Sequence, residues 1–175
     1  MTSGHASGMI LNKVAGLALA GALLVASPTP AQQGEPIGSW WLLATPGGAG
    51  AHAIMTLSTQ GAGVVAFRCE GARTAVLLGL NRPEARPRAG STVEVEWQIG
   101  AGPRRRVSAL ASEETVELDE AVSRAIIAEA ADAPSFSFHL APGAAEEVTL
   151  VFRPVETKGA LARLREACGK AGPGG

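Results

Sequence analysis

Apolar and polar residues alternate at period two along much of the stretch from residue 38 to residue 118, the pattern of strands buried on one face. The clearest case is STVEVEWQIG (91–100), with Val93, Val95, Trp97 and Ile99 on one face and Glu94, Glu96 and Gln98 on the other. Gly100-Ala101-Gly102-Pro103 then predicts a turn, and RRRVSAL (104–110) a returning strand. In a hairpin centred on Ala101, Glu96 faces Arg106 and Gln98 faces Arg104. Further strands are predicted at 38–44, 51–57, 62–69, 73–79 and 114–118. In GVVAFRC (63–69), Val65, Phe67 and Cys69 share a face, which aims the thiol inward. The glycine clusters GGAG (47–50) and GAG (61–63) read as hairpin turns; neither opens a helix after a strand as a phosphate cradle does.

The period changes late in the chain. Asp119 is a good N-cap for DEAVSRAIIAEAA, which places Val122, Ala125, Ile126 and Glu129 on one helical stripe before Pro134 closes the segment. A second strand pair follows, with Phe136, Phe138 and Leu140 on one face of the first and Val148, Leu150 and Phe152 on one face of the second. Thr157 is then the predicted cap of KGALARLREACGK, whose stripe of Leu161, Leu164 and Cys168 faces the core.

Residues 14–26, VAGLALAGALLVA, are 13 apolar or glycine positions behind Lys13, the layout of a secretory signal. A helix of that length spans roughly 20 Å, short of the ~30 Å hydrocarbon layer, so a permanent anchor is not expected. The predicted organisation is a signal peptide at 1–31, a linker at 32–37, one domain at 38–170 and a disordered tail at 171–175, with Met9 an alternative start. Export to the periplasm or beyond places the two cysteines in an oxidising compartment. Cys69 and Cys168, with 98 residues between them, are therefore predicted to form one disulfide between a strand and the closing helix. Two free buried thiols are the alternative.

Charge and candidate chemistry change this picture little. The predicted mature part has 14 basic and 16 acidic residues, which argues against nucleic acid as the main partner. Arg104, Arg105 and Arg106 are the one local concentration of charge. They form either a contact for an acidic partner or a solvated hairpin arm neutralised by Glu94 and Glu96. The cluster Glu113, Glu114, Glu117, Asp119 and Glu120 lacks the Asp-x-Asp-x-Asp-Gly pattern and the glycine of a calcium loop. His52 and His139 stand in no HxH or HExxH pairing, and no serine sits in a GxSxG or SxxK signature. No catalytic, metal-ligating or cofactor-binding residue is predicted. Trp40 and Trp41 put one indole on each face of the first strand; the outer one is a candidate partner contact.

From Trp40 onward the order of features resembles the VasI-like group of small periplasmic proteins associated with type VI secretion. A Trp-containing strand is followed by a Val-rich strand ending in cysteine, VVAFRC (64–69), then TAVLLGL, a hairpin with a tryptophan in VEVEWQIG, and a short helix. A β pair with VTLVFRP and a helix ending Leu-x-x-x-Cys, LREAC at 164–168, complete the correspondence over residues 39–169. The stretch PVETKGALARL lacks the Gly-Leu step usual in that group, and the aspartates common around its hairpin are absent. A weaker similarity runs to the invasion-associated locus B family of exported β-rich proteins. These resemblances imply an exported, non-catalytic accessory protein.

The expected fold is mainly β, a sandwich or partly open barrel of seven to nine strands. It carries two short helices, the C-terminal one disulfide-linked to a central strand. The expected function is surface recognition of a protein partner in the cell envelope, without stable membrane insertion, with specificity in loops 44–51, 82–91 and 141–147. The alternative is an envelope hydrolase, or an inhibitor of one, with a site invisible to spacing. The loop 82–91, rich in proline and arginine, is expected to stand out from the body.

Overall fold

Ten strands and two helices follow in chain order in the computed structural model, which describes residues 34–44, 51–141 and 146–170. The expected signal, the tail at 171–175 and most of loops 44–51 and 141–147 lie outside the described residues. The first five strands are β1 (Glu35–Ile37), β2 (Trp40–Ala44), β3 (Ala51–Leu57), β4 (Gly63–Glu70) and β5 (Arg73–Leu80). After a 3-10 turn at Pro83–Ala85 come β6 (Thr92–Ile99), β7 (Arg105–Ala111) and β8 (Thr115–Glu117). Helix α1 (Glu120–Ala130), strands β9 (Phe136–Ala141) and β10 (Val148–Phe152), and helix α2 (Thr157–Lys170) complete the chain.

All ten strands belong to one antiparallel sheet in the order β1-β2-β3-β4-β5-β8-β7-β6-β9-β10. The sheet curls on itself. Trp40 on β2 and Phe136 on β9 are far apart in that order, yet their rings lie 6.4 Å apart, with Phe67 of β4 touching both. The tip of the β3–β4 hairpin reaches the last strand, where Thr59 N–H donates to the Val151 carbonyl at 2.8 Å. Gly63 makes that approach possible, because a Cβ there would stand 2.4 Å from the Gly79 carbonyl oxygen and 2.9 Å from a Leu150 methyl. The result is a mainly β body whose inner faces supply the core: Trp40, Val65, Phe67, Leu78, Val95, Phe138 and Leu150 are each fully buried.

The two helices close this body. In α2, Ala160, Leu161 and Leu164 are buried, and Cys168 is bonded to Cys69 with a Cα–Cα distance of 6.3 Å. The predicted strand-to-helix disulfide is therefore present. Arg163 on the outer side of α2 bonds Glu35 of β1 and Glu166. Those contacts, the Glu35 hydrogen bond first, raise its pKa above the ordinary arginine value.

Several expectations need correction. Residues 35–37, read as linker, form β1 and pair with β2, turning at Gly38 (φ 59°), where the chain abuts Val155 and leaves no room for a Cβ. The first predicted strand thus begins at Trp40, and the strand count is ten rather than seven to nine. Loop 82–91 does not simply stand out: Ala85 is fully buried and Arg86 Nε donates to the Leu80 carbonyl at 3.0 Å. Thr157 is the first residue of α2, and its hydroxyl accepts from the Trp40 indole N–H at 3.3 Å. The buried stripe of α1 is Ser123, Ile126, Ile127 and Ala130, rotated from the predicted one because Ser123 makes a polar bond to the sheet.

Candidate functional site

The feature that shapes the surface is the shortness of β8. Its three residues pair on one side with Leu77, Leu78 and Gly79 of β5 and on the other with Leu110 and Ala111 of β7. Asp119 then ends the strand by capping α1, its Oδ1 accepting from Val122 N–H at 2.9 Å. Both neighbouring strands continue, so the sheet is split beyond Glu117. On the β5 side the split is sealed: Leu118 N–H donates to the Val76 carbonyl, and Val76 N–H donates to Ser123 Oγ at 2.9 Å.

On the β7 side it stays open. Ala111 N–H bonds the Ser91 carbonyl beside β6, and Ser112 N–H bonds the Thr115 carbonyl beside β8. Backbone groups of an antiparallel strand address its two neighbours in alternation. Leu110 therefore addresses β8, and Ser108 addresses the same side past the point where β8 has ended. A trough of about 560 Å³ lies here, walled by Arg68 and Glu70 of β4, Ala75 of β5 and Ser108 to Ser112 along β7. Leu110 on its rim is 61% exposed, among the most exposed large apolar side chains described.

Four of the six charged groups that line the trough are already engaged. Arg68 bonds both oxygens of Glu117, at 3.3 and 3.4 Å. Asp119 caps α1, and Glu120 pairs with Arg124. Glu70 and Arg73 sit opposite each other in the β4–β5 register and make no ion pair among the described residues. Among the described residues, no group of three or more His, Cys, Asp or Glu side chains is arranged to hold a metal ion. What the trough offers is a shallow apolar floor, a paired-charge wall and an open strand edge.

The predicted contact residues lie elsewhere. Trp40 is fully buried, whereas Trp41 is 39% exposed on the outer face of β2. The arginine triplet is brought to the β6–β7 hairpin, and Glu96 faces Arg106 as expected. Glu96 accepts from Arg104 at 3.1 Å and from Arg106 at 3.4 Å. Arg105 bonds Glu129 at 2.6 Å and lies over the Trp97 ring at 4.7 Å. The three cations thus hold the hairpin and α1 in place, while Glu94 takes its hydrogen bond from Ser108 rather than from an arginine. Beside them His139 Nδ1 is 3.0 Å from Thr149 Oγ1, and its Nε2 is 3.6 Å from Glu147. His52 stands on β3, half-buried.

No family model, curated protein or solved structure matches the chain. The reading of function therefore rests on the site itself. Sequence reasoning missed the trough because it arises from where β8 stops. The one signal for it was Asp119, read as a helix cap one residue after a predicted strand.

Proposed function

We propose that this is a non-catalytic accessory protein of the cell envelope that recognises an extended segment of a protein partner at the trough. The observation that carries the reading is the open β7 edge at Ser108, flanked by the exposed Leu110 and unoccupied by β8. An extended chain laid there gains backbone hydrogen bonds from the edge and apolar contact from Leu110, the mode of strand addition. Three of the four carboxylates there, Glu117, Asp119 and Glu120, support recognition over chemistry, since each already serves the fold. The Cys69–Cys168 disulfide supports an oxidising compartment, and among the described residues no helix is long and apolar enough to cross a membrane. A role beside a secretion apparatus, as the VasI-like resemblance implies, is part of the proposal.

The test is site-specific photocrosslinking in cells from Leu110, with Leu57, exposed on another strand, as the control. A discrete adduct from Leu110 is expected, and it should vanish in Ser108→Pro. That change removes a backbone N–H facing the trough and leaves the β6–β7 ladder intact. Equal adducts from both positions, or one indifferent to Ser108→Pro, would sink the proposal.

One observation favours the hydrolytic alternative: the line Thr149–His139–Glu147 has the order of nucleophile, base and acid. It lies on the open faces of β9 and β10, where water screens it. Ester hydrolysis by the purified protein that is lost in Thr149→Val would establish that reading instead.

A further inference from the structure

A second hollow lies at the end of the β body between the two helices, separate from the trough except that Thr74 lines both. It measures about 250 Å³ and is walled by Ile127 of α1, Leu161 and Leu164 of α2, and the Cys69–Cys168 disulfide. Two polar groups and a set of apolar walls meet there. Thr74 Oγ1 is buried and has no hydrogen-bond partner, the one such side-chain atom among the described residues. An unsatisfied buried hydroxyl is costly, and native structures rarely keep one without a water or ligand to meet it. Arg165, on the same side of α2 as Leu161, lines the cleft from an exposed position and makes no ion pair or hydrogen bond among the described residues. Its neighbour Arg163 is committed to Glu35 and Glu166, so the contrast is local. The other walls include apolar side chains: Ile127, Leu161 and Leu164 are all at least nine-tenths buried.

We propose that this cleft binds a small carboxylic acid with a hydrocarbon body. The guanidinium of Arg165 and the hydroxyl of Thr74 both donate to the carboxylate, and the chain lies against Ile127, Leu161 and Leu164. The volume is below that of drug-sized pockets, which selects a small ligand. A carboxylate meets the two donors at once, and each charge-assisted bond is stronger than a neutral one. A water molecule alone would satisfy Thr74 but leave the apolar walls and Arg165 unused, so the alternatives make different predictions.

The experiment is a methyl NMR titration of the oxidised chain with octanoate, using octan-1-ol as the uncharged comparator. Octanoate is expected to shift the methyls of Ile127, Leu161 and Leu164 and to bind more tightly than octanol. Arg165→Gln should weaken octanoate about tenfold and leave octanol unchanged, as expected for loss of a charged hydrogen bond. Thr74→Val should weaken octanoate too, while raising the melting temperature of the free protein by removing an unsatisfied group. Gly169→Leu keeps folding separate from binding. A Cβ at Gly169 meets nothing within 4 Å, and leucine is the better helix former, so the variant should fold normally yet obstruct the cleft mouth. Octanol binding as tightly as octanoate, octanoate affinity unchanged in Arg165→Gln and Thr74→Val, or no methyl shift at all would overturn the proposal.

Discussion

Replacing Ser123 by alanine tests how α1 seals the sheet. Ser123 is fully buried, and its hydroxyl does two things: it accepts from Val76 N–H at 2.9 Å and donates to the Leu118 carbonyl at 3.2 Å. Val76 is also fully buried, so without Oγ its amide has no access to water. Leaving that donor unmet costs about 1–3 kcal/mol, and the lost bond to Leu118 adds about 1 kcal/mol. Alanine returns about 0.5 kcal/mol through its higher helix propensity. The net expectation is a loss of about 1.5–3.5 kcal/mol, a large share of the stability of an ordinary domain. For a chain of this size that lowers the melting temperature by about 4–14 °C. Urea unfolding followed by tryptophan fluorescence reads the loss, because Trp40 is buried in the core. Native-state hydrogen exchange at the Val76 amide reads the cause. Ser123→Thr, which keeps the oxygen, should restore that amide's protection whatever its added methyl does to packing. A loss below about 0.5 kcal/mol, or undiminished protection of Val76 in the alanine variant, would refute the account of the seal.

Three further outcomes follow from the same structure. The double variant Cys69→Ala, Cys168→Ala opens a loop with a sequence separation of 99. In the chain-entropy model it should lose up to ~4.7 kcal/mol in urea titration while its near-UV circular dichroism stays native. An unchanged midpoint would show that the bridge does not restrain the unfolded chain. Gly63→Ala should destabilise by at least about 1–3 kcal/mol, since its Cβ collides with the Gly79 carbonyl, which cannot rotate away; a calorimetric scan matching the parent would refute the close approach. Arg163 has a raised folded-state pKa, so its contribution is fully present below the unfolded value and lost only as pH rises through the folded one. Both lie far above neutral. The stability difference between the parent and Arg163→Gln should therefore be the same at about pH 6 and pH 9, and a change between them would refute the assignment.

Much of the fold was legible because period two and period 3.6 are local signals. Val93, Val95, Trp97 and Ile99 alternate without interruption, and all four are buried. The inward aim of Cys69 and Cys168 could be read from Phe67 beside one and Leu164 beside the other, and the bridge followed. What stayed hidden depends on partners distant in sequence. Glu35–Ile37 is too short and too polar to announce a strand, and it forms because β2 lies beside it. Ser123 breaks the apolar stripe of α1, yet it is the residue that docks the helix, through an amide 47 positions earlier. The arginine triplet showed its charge but not its partners. Glu129, which takes Arg105, belongs to a helix no local pattern ties to that hairpin.

The trough traces to one decision in the chain, the change from strand to helix at Asp119. Had β8 continued, it would have covered the inner edges of β5 and β7 together, as a middle strand does. Because α1 begins instead, β5 is served by Leu118 and Ser123 only as far as Val76. Thr74, two residues back on the same edge, lines both hollows. The same substitution of helix for strand leaves Ser108 facing an open trough on the other side. A longer β8 would give a more regular sheet without the trough. The trough is thus the direct consequence of a three-residue strand.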